Sequence, residues 1–156
     1  MTWTPSEEGV THINAYSQSK TVLGSLLSNF AKSPFTCKDG SFMSIEGYWY
    51  WLSCSHQRRD ELRHVYGFRA KKLGKELKGK DWVHDPEFQS KIERAMYIKL
   101  ITNKQLYTLL RNSTLPIVHY YAYGGKVVEP TSGKWIWEFY ERARKYLKEQ
   151  KETNNV

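Results

Sequence analysis

The spacing of apolar residues changes period several times along the chain, and each change marks an element. Residues 1–10 are polar and interrupted by Pro5 and Gly9, which predicts a loose lead-in. Across 11–17, Ile13 sits between polar neighbours in the period-two pattern of a short strand. A short apolar stretch at 22–27 runs into Ser28-Asn29-Phe30. Pro34 and the Asp39-Gly40 pair bracket a predicted hairpin with Phe35 facing Phe42. From 44 to about 54 the pattern is helical, with Ser44 as N-cap and Glu46 in the first turn, where the helix dipole favours an acid.

After a polar break at 55–58, the spacing predicts a second helical region over roughly 58–78, bent or ended at Gly67 and Gly74. Asp85-Pro86-Glu87 is a strong helix start, because proline at the first helical position gives up no needed amide hydrogen. That helix carries Phe88, Ile92, Ala95, Met96 and Leu100 as one stripe. Thr102-x-x-Gln105 resembles a capping box opening a further helix to about 111. Residues 116–129 read as a hairpin turning at Gly124-Gly125. The last helix, about 133–150, places Ile136, Phe139, Ala143 and Tyr146 on one face, with Glu138–Arg142 and Glu141–Lys145 pairs on the other. Residues 151–156 are a polar tail. The expected fold is mainly α (α+β): one compact, helix-rich domain over 1–156 with small antiparallel strand elements.

Composition sharpens this picture in two places. Six Trp and 11 Tyr help bring the aromatic fraction to 15%, with clusters at 48–51 and 119–123. The formal charge of +8 favours anionic partners, phosphorylated small molecules or nucleic acid, although a merely basic surface accounts for it equally. The two cysteines, Cys37 and Cys54, form neither a CxxC nor a Cys/His ligand set, which suits a reducing compartment. No apolar run approaches the roughly 18 residues that span a membrane, and the N-terminus lacks the basic-then-apolar order of a secretory signal. A cytoplasmic location without a membrane partner is expected. GxGxxG, Walker, HExxH and GxSxG motifs are absent, as is metal-ligand spacing, so neither a cofactor nor a metal is expected.

Several residues break local rules, and such places are where function is best sought. Within the helix 44–54, Glu46, Trp49, Tyr50 and Ser53 share one face, while Tyr48, Trp51 and Leu52 share another. So aromatic a helix must be largely buried. Glu46 is then either a solvated first-turn acid or a partly buried carboxylate whose pKa rises. Lys99 falls close to an apolar stripe, where it either snorkels past the core edge or aims an ammonium into a pocket. The run Arg69-Ala70-Lys71-Lys72-Leu73-Gly74-Lys75 either lines a phosphate site or forms a solvated helix face. His119 and Tyr121 point the same way along a strand, and a lone strand histidine serves structure or chemistry.

An ordered set of motifs resembles the NADAR (YbiA-like) family, in a divergent, compact form similar to versions carried by phages. It comprises Leu27-Ser28-Asn29-Phe30, Ser33-Pro34-Phe35, Gly40, Ser44-Ile45-Glu46-x-Tyr48, Ala70-Lys71-x-Leu73-Gly74, residues 92–99 and Leu106-x-x-Leu109-Leu110. The resemblance spans roughly residues 22–118 in the right order. It implies a mainly helical fold and N-glycosidase activity on phosphoribosyl intermediates of riboflavin synthesis or on ADP-ribose attached to a nucleobase. It also implies that Glu46 is the catalytic acid, that Ser28, Asn29 and Phe30 border the pocket, and that Lys71 and Lys99 are polar pocket or phosphate contacts.

The chain departs from the family pattern at Gly47, Tyr50 and Ser53, where the family has His, Gln and Lys. Its C-terminal Asp-x-x-Trp-Gly pattern is also not reproduced by Glu129, Trp135 and Trp137. Trp49, Tyr50, Arg69, His119, Tyr121 and Trp135 complete the expected binding set, the aromatics suiting a base and the cations suiting phosphates. The expected partner is an ADP-ribose-type small molecule, free or attached to DNA or RNA. A sequestering protein without catalysis and a basic nucleic-acid binder are the two alternatives.

Overall fold

The computed structural model describes residues 3–154, with side chains described for residues 3–150. In chain order the elements are β1 (Ile13–Asn14), α1 (Val22–Leu27), β2 (Phe35–Cys37), β3 (Gly40–Phe42), α2 (Ile45–Leu52), α3 (Gly67–Lys78), α4 (Phe88–Thr102), α5 (Lys104–Asn112), β4 (Ile117–Val118), β5 (Tyr121–Tyr123), β6 (Lys126–Val128) and α6 (Lys134–Asn154). Short 3₁₀ turns occupy Pro5–Glu7 and Arg59–His64. The fold is α+β with helix dominant, and its chain forms two compact units: residues 29–103, and residues 1–28 with 104–156.

In the unit 29–103, β2 and β3 form the expected hairpin. Phe35 lies opposite Phe42, with the rings stacked at 5.8 Å. Tyr48 and Trp51 of α2 pack on Phe42 at centroid distances of 4.6 and 5.6 Å, so the inner aromatic face of α2 covers the hairpin. The region 58–78 is not one helix. Its first part is the 3₁₀ turn, and α3 begins afresh at Gly67, whose φ of +63° suits glycine. Helix α4 starts three residues beyond Asp85. The Asp85 carboxylate accepts from Glu87 N–H (2.8 Å) and its carbonyl from Phe88 N–H (3.0 Å), making a separate turn before the helix. Thr102 likewise does not open a helix; its hydroxyl donates back to Ile98 O (2.7 Å) and closes α4.

The other unit departs further from its sequence pattern. Residues 5–8 are ordered by a 3₁₀ turn, and the Glu8 carboxylate accepts from Ser19 Oγ and from Lys20 N–H, which replaces the loose lead-in. Strands β1 and β4 pair in parallel, Ile13 opposite Ile117, so the β content is not wholly antiparallel and 116–129 is not one continuous hairpin. Asn14 locks this pairing by donating to Tyr120 O and accepting from Tyr120 N–H, both at 3.0 Å. The hairpin proper is β5–β6, turning at Gly124 (φ +60°) and Gly125 (φ +74°) as two positive φ angles require. Helix α6 runs on through residue 154, beyond the expected start of a tail at 151, and residues 155–156 lie outside the described residues. Its buried face is Ile136, Tyr140, Ala143 and Leu147. Tyr146 is exposed, and Glu141 pairs with Arg144 at 3.8 Å.

Candidate active site

Two consecutive carbonyls fix the heads of two helices. Asn29 O accepts from Glu46 N–H and Phe30 O accepts from Gly67 N–H, each at 2.9 Å. The first bond ties down the start of α2, and the second ties down the start of α3. Ser44 caps α2, accepting from Gly47 N–H at 3.0 Å while its hydroxyl donates to Val65 O at 3.0 Å. Glu46 is thereby held in the first turn of a short, rigid helix. The Oδ1 of Asn29 is buried and has no hydrogen-bond partner among the described residues. An unpaired buried acceptor costs free energy.

Glu46 is partly buried, and among the described residues its carboxylate makes no side-chain hydrogen bond or ion pair. Burial pushes its pKa from 4.5 up to about 7, although the charges of Lys71 and Lys75 pull it back down. Lys71 and Lys75 are i,i+4 neighbours on α3. The sequence pattern flagged Lys71 and the cluster around it, but singled out no role for Lys75. Its helical spacing from Lys71 is the signal that could have found it.

The aromatic face of α2 is partly committed to packing. The ring of Tyr50 lies so close to Gly74 that a Cβ there would stand 2.1 Å from its Cγ. Trp49 is half-buried, with Phe88 edge-on at 4.7 Å. Gly47 faces the 3₁₀ turn, where a Cβ would stand 2.4 Å from Leu62 O. The family's histidine at that position could not be accommodated without moving backbone.

The other candidates divide between the two units. Arg69 lies in the same unit as Glu46 but is exposed, lining a cleft with Glu61, His64, Lys72 and Glu76. It is two residues from Lys71, which sets it on another side of α3. Lys99 is fully buried in α4, and burial lowers its pKa from 10.5 to about 7, so it does not snorkel. Ser28, His119, Tyr121 and Trp135 belong to the unit 1–28 with 104–156. Ser28 is buried and ends α1, its N–H donating to Gly24 O at 3.2 Å. His119 Nδ1–H donates to Ala15 O at 2.8 Å, which leaves Nε2 as the acceptor of the neutral ring, and burial lowers its pKa. It lines a cleft of about 270 Å³ with Trp3, Trp137, Lys134 and Glu138, and its ring lies 4.9 Å from that of Tyr121. Trp135 is half-buried. Among the described residues no group of three or more His, Cys, Asp or Glu side chains could hold a metal, and no helix is long and apolar enough to cross a membrane.

The helix-rich α+β architecture is that of the YbiA fold. The NMR structure of the E. coli protein YbiA is similar to this chain with a TM-score of 0.66, over 93% of this chain and 87% of that one, at 20% sequence identity. No protein-family model matches the sequence, and no curated protein matches it either.

Proposed function

We propose that this chain is an N-glycosidase of the NADAR kind, hydrolysing the bond between a base and a phosphorylated ribose. The observation that carries the reading is Glu46: a carboxyl group with no hydrogen-bond or ion-pair partner among the described residues, with its pKa raised by burial to about 7, in reach of two lysine charges. A group with that pKa is present in both protonation states at neutral pH, the condition for efficient general acid–base work.

Cleavage of a C1′–N bond builds positive charge on the ribose ring. Ionised Glu46 stabilises that charge and takes a proton from the water that adds to C1′, while the bonding electron pair leaves with the base nitrogen, which is protonated. The Asn29 Oδ1 accepts from a ribose hydroxyl, which satisfies its unpaired lone pairs. Lys71 and Lys75 meet the phosphates. Trp49 offers the base an aromatic wall, whereas Tyr50 has one ring face occupied by Gly74. The expected substrates are ADP-ribose on a nucleobase or a riboflavin-pathway phosphoribosyl intermediate, and no cofactor is required.

The departures at Gly47, Tyr50 and Ser53 favour a second reading, a protein that sequesters such a nucleotide without cleaving it. Mass spectrometry after incubation with NAD, ADP-ribosylated guanine and phosphoribosyl intermediates separates the two. Glycosidase activity predicts base release by wild type, with Glu46→Gln losing about 10²–10⁴-fold in rate while still binding. Undiminished turnover by Glu46→Gln refutes the catalytic assignment, and binding without any product establishes the sequestering protein.

A further inference from the structure

Helix α3 presents a row of lysines that extends past the needs of a single nucleotide. Lys71, Lys75 and Lys78 recur at i, i+4 and i+7, and so lie along one side of the helix. The mixed cluster Arg69, Lys72 and Glu76 occupies a different side, facing the cleft with Glu61. The row begins at Glu46, which senses Lys71 and Lys75. It ends at Lys78, whose ammonium stands 5.9 Å from the Tyr50 ring centre and 5.6 Å from that of Trp82.

Trp82 is 54% exposed, and its backbone is anchored. Its neighbours bond into the end of the α2 segment, with Val83 N–H donating to Ser53 O (3.0 Å) and Ser55 N–H to Asp81 O (2.9 Å). The His84 ring lies 6.3 Å away at 32°, widening the aromatic surface. A large indole held on the surface beside an ammonium is the pairing that stacks a base and meets its phosphate. At a rise of 1.5 Å per residue, Lys71 and Lys78 stand roughly 10 Å apart along the axis. A row of three cations spread over that length matches successive phosphates of an extended strand better than the two phosphates of one pyrophosphate.

We propose that the lysine row and Trp82 bind single-stranded nucleic acid, the backbone following Lys71, Lys75 and Lys78 and one base stacking on Trp82. The proposal rests on the N-glycosidase reading for one point alone, that the strand delivers its modified nucleotide to Glu46. A +8 chain supplies the long-range attraction, and the aligned row supplies the register.

The test measures binding of an unmodified, fluorescent single-stranded oligonucleotide by anisotropy across salt concentrations, using the whole chain carrying Glu46→Gln so that turnover plays no part. Three neutralised phosphates give a log–log salt slope near −2, and Lys78→Ala lowers its magnitude by about 0.7. Trp82→Ala weakens binding by about 5- to 150-fold, the range of one lost base stack, and Trp82→Tyr restores most of it. Melting temperatures of the variants confirm that each is folded. No binding by the parent protein, or affinity unchanged in both Trp82→Ala and Lys78→Ala, overturns the proposal. Equal affinity for duplex of the same sequence also overturns it, because paired bases cannot stack on Trp82. Strand binding without base release from any substrate leaves this surface standing and removes the glycosidase instead.

Discussion

Removing the Glu46 charge should stabilise the protein, and by an amount that depends on pH. The carboxyl has a pKa of 4.5 in its unperturbed state and about 7 when folded, so the folded protein holds its proton more tightly than the unfolded chain does. Between those values the native state binds more protons, and stability therefore falls as pH rises from 4.5 through 7. Above that window the full cost is present; below pH 4.5 both states are protonated and it vanishes. At 1.36 kcal/mol per pK unit the cost approaches about 3 kcal/mol, and nearer about 2 kcal/mol once solvent access to a partly buried carboxylate is allowed for. Gln at 46 is neutral at every pH and of similar shape. Glu46→Gln should thus exceed wild type by about 2–3 kcal/mol at pH 8, or roughly 4–12 °C in Tm for a chain of this length. Near pH 4 the two should coincide. Urea unfolding of both proteins between pH 4 and 9, without ligand, reads the difference directly. A gap that is the same at both ends of the range, or a wild type more stable at pH 8, refutes the claim that Glu46 is a destabilised group kept for chemistry.

Two further outcomes follow from packing and burial. Gly74→Ala places a Cβ 2.1 Å from Tyr50 Cγ and should cost about 1–3 kcal/mol by overpacking, with most of that loss absent when Tyr50→Ala is the background; additive losses in a denaturation cycle would show the contact to be wrong. Lys99→Met should stabilise most below pH 7 and least near pH 10.5, because burial lowers the lysine pKa from 10.5 to about 7 and the unfolded chain binds the extra proton in between. Urea midpoints at pH 6 and pH 10 test this, and a gap larger at the higher pH contradicts it.

Local chemistry was legible in the sequence. The Phe35–Phe42 hairpin, the Ser44 cap, the Gly124-Gly125 turn and the two faces of α2 all follow from nearest-neighbour rules, since caps and tight turns are set within a few residues. Glu46 could be singled out because an acid heading an aromatic helix is anomalous wherever that helix packs. The parallel β1–β4 pair could not, because Ile13 and Ile117 are joined by no local signal. The resemblance pointed to Asn29, but its Oδ1, unpaired among the described residues, and the carbonyl that holds α2 exist only once the chain has turned back on itself. The sequence left Lys99 undecided between snorkelling past the core edge and aiming its ammonium into a pocket, and its complete burial removes the first. It named Tyr50 as a stacking wall without knowing that Gly74 would occupy one of its faces. Periodicity determines which side of an element is apolar; what that side meets is decided by contacts distant in sequence, and those set the pKa values and the free ring faces from which a site is built.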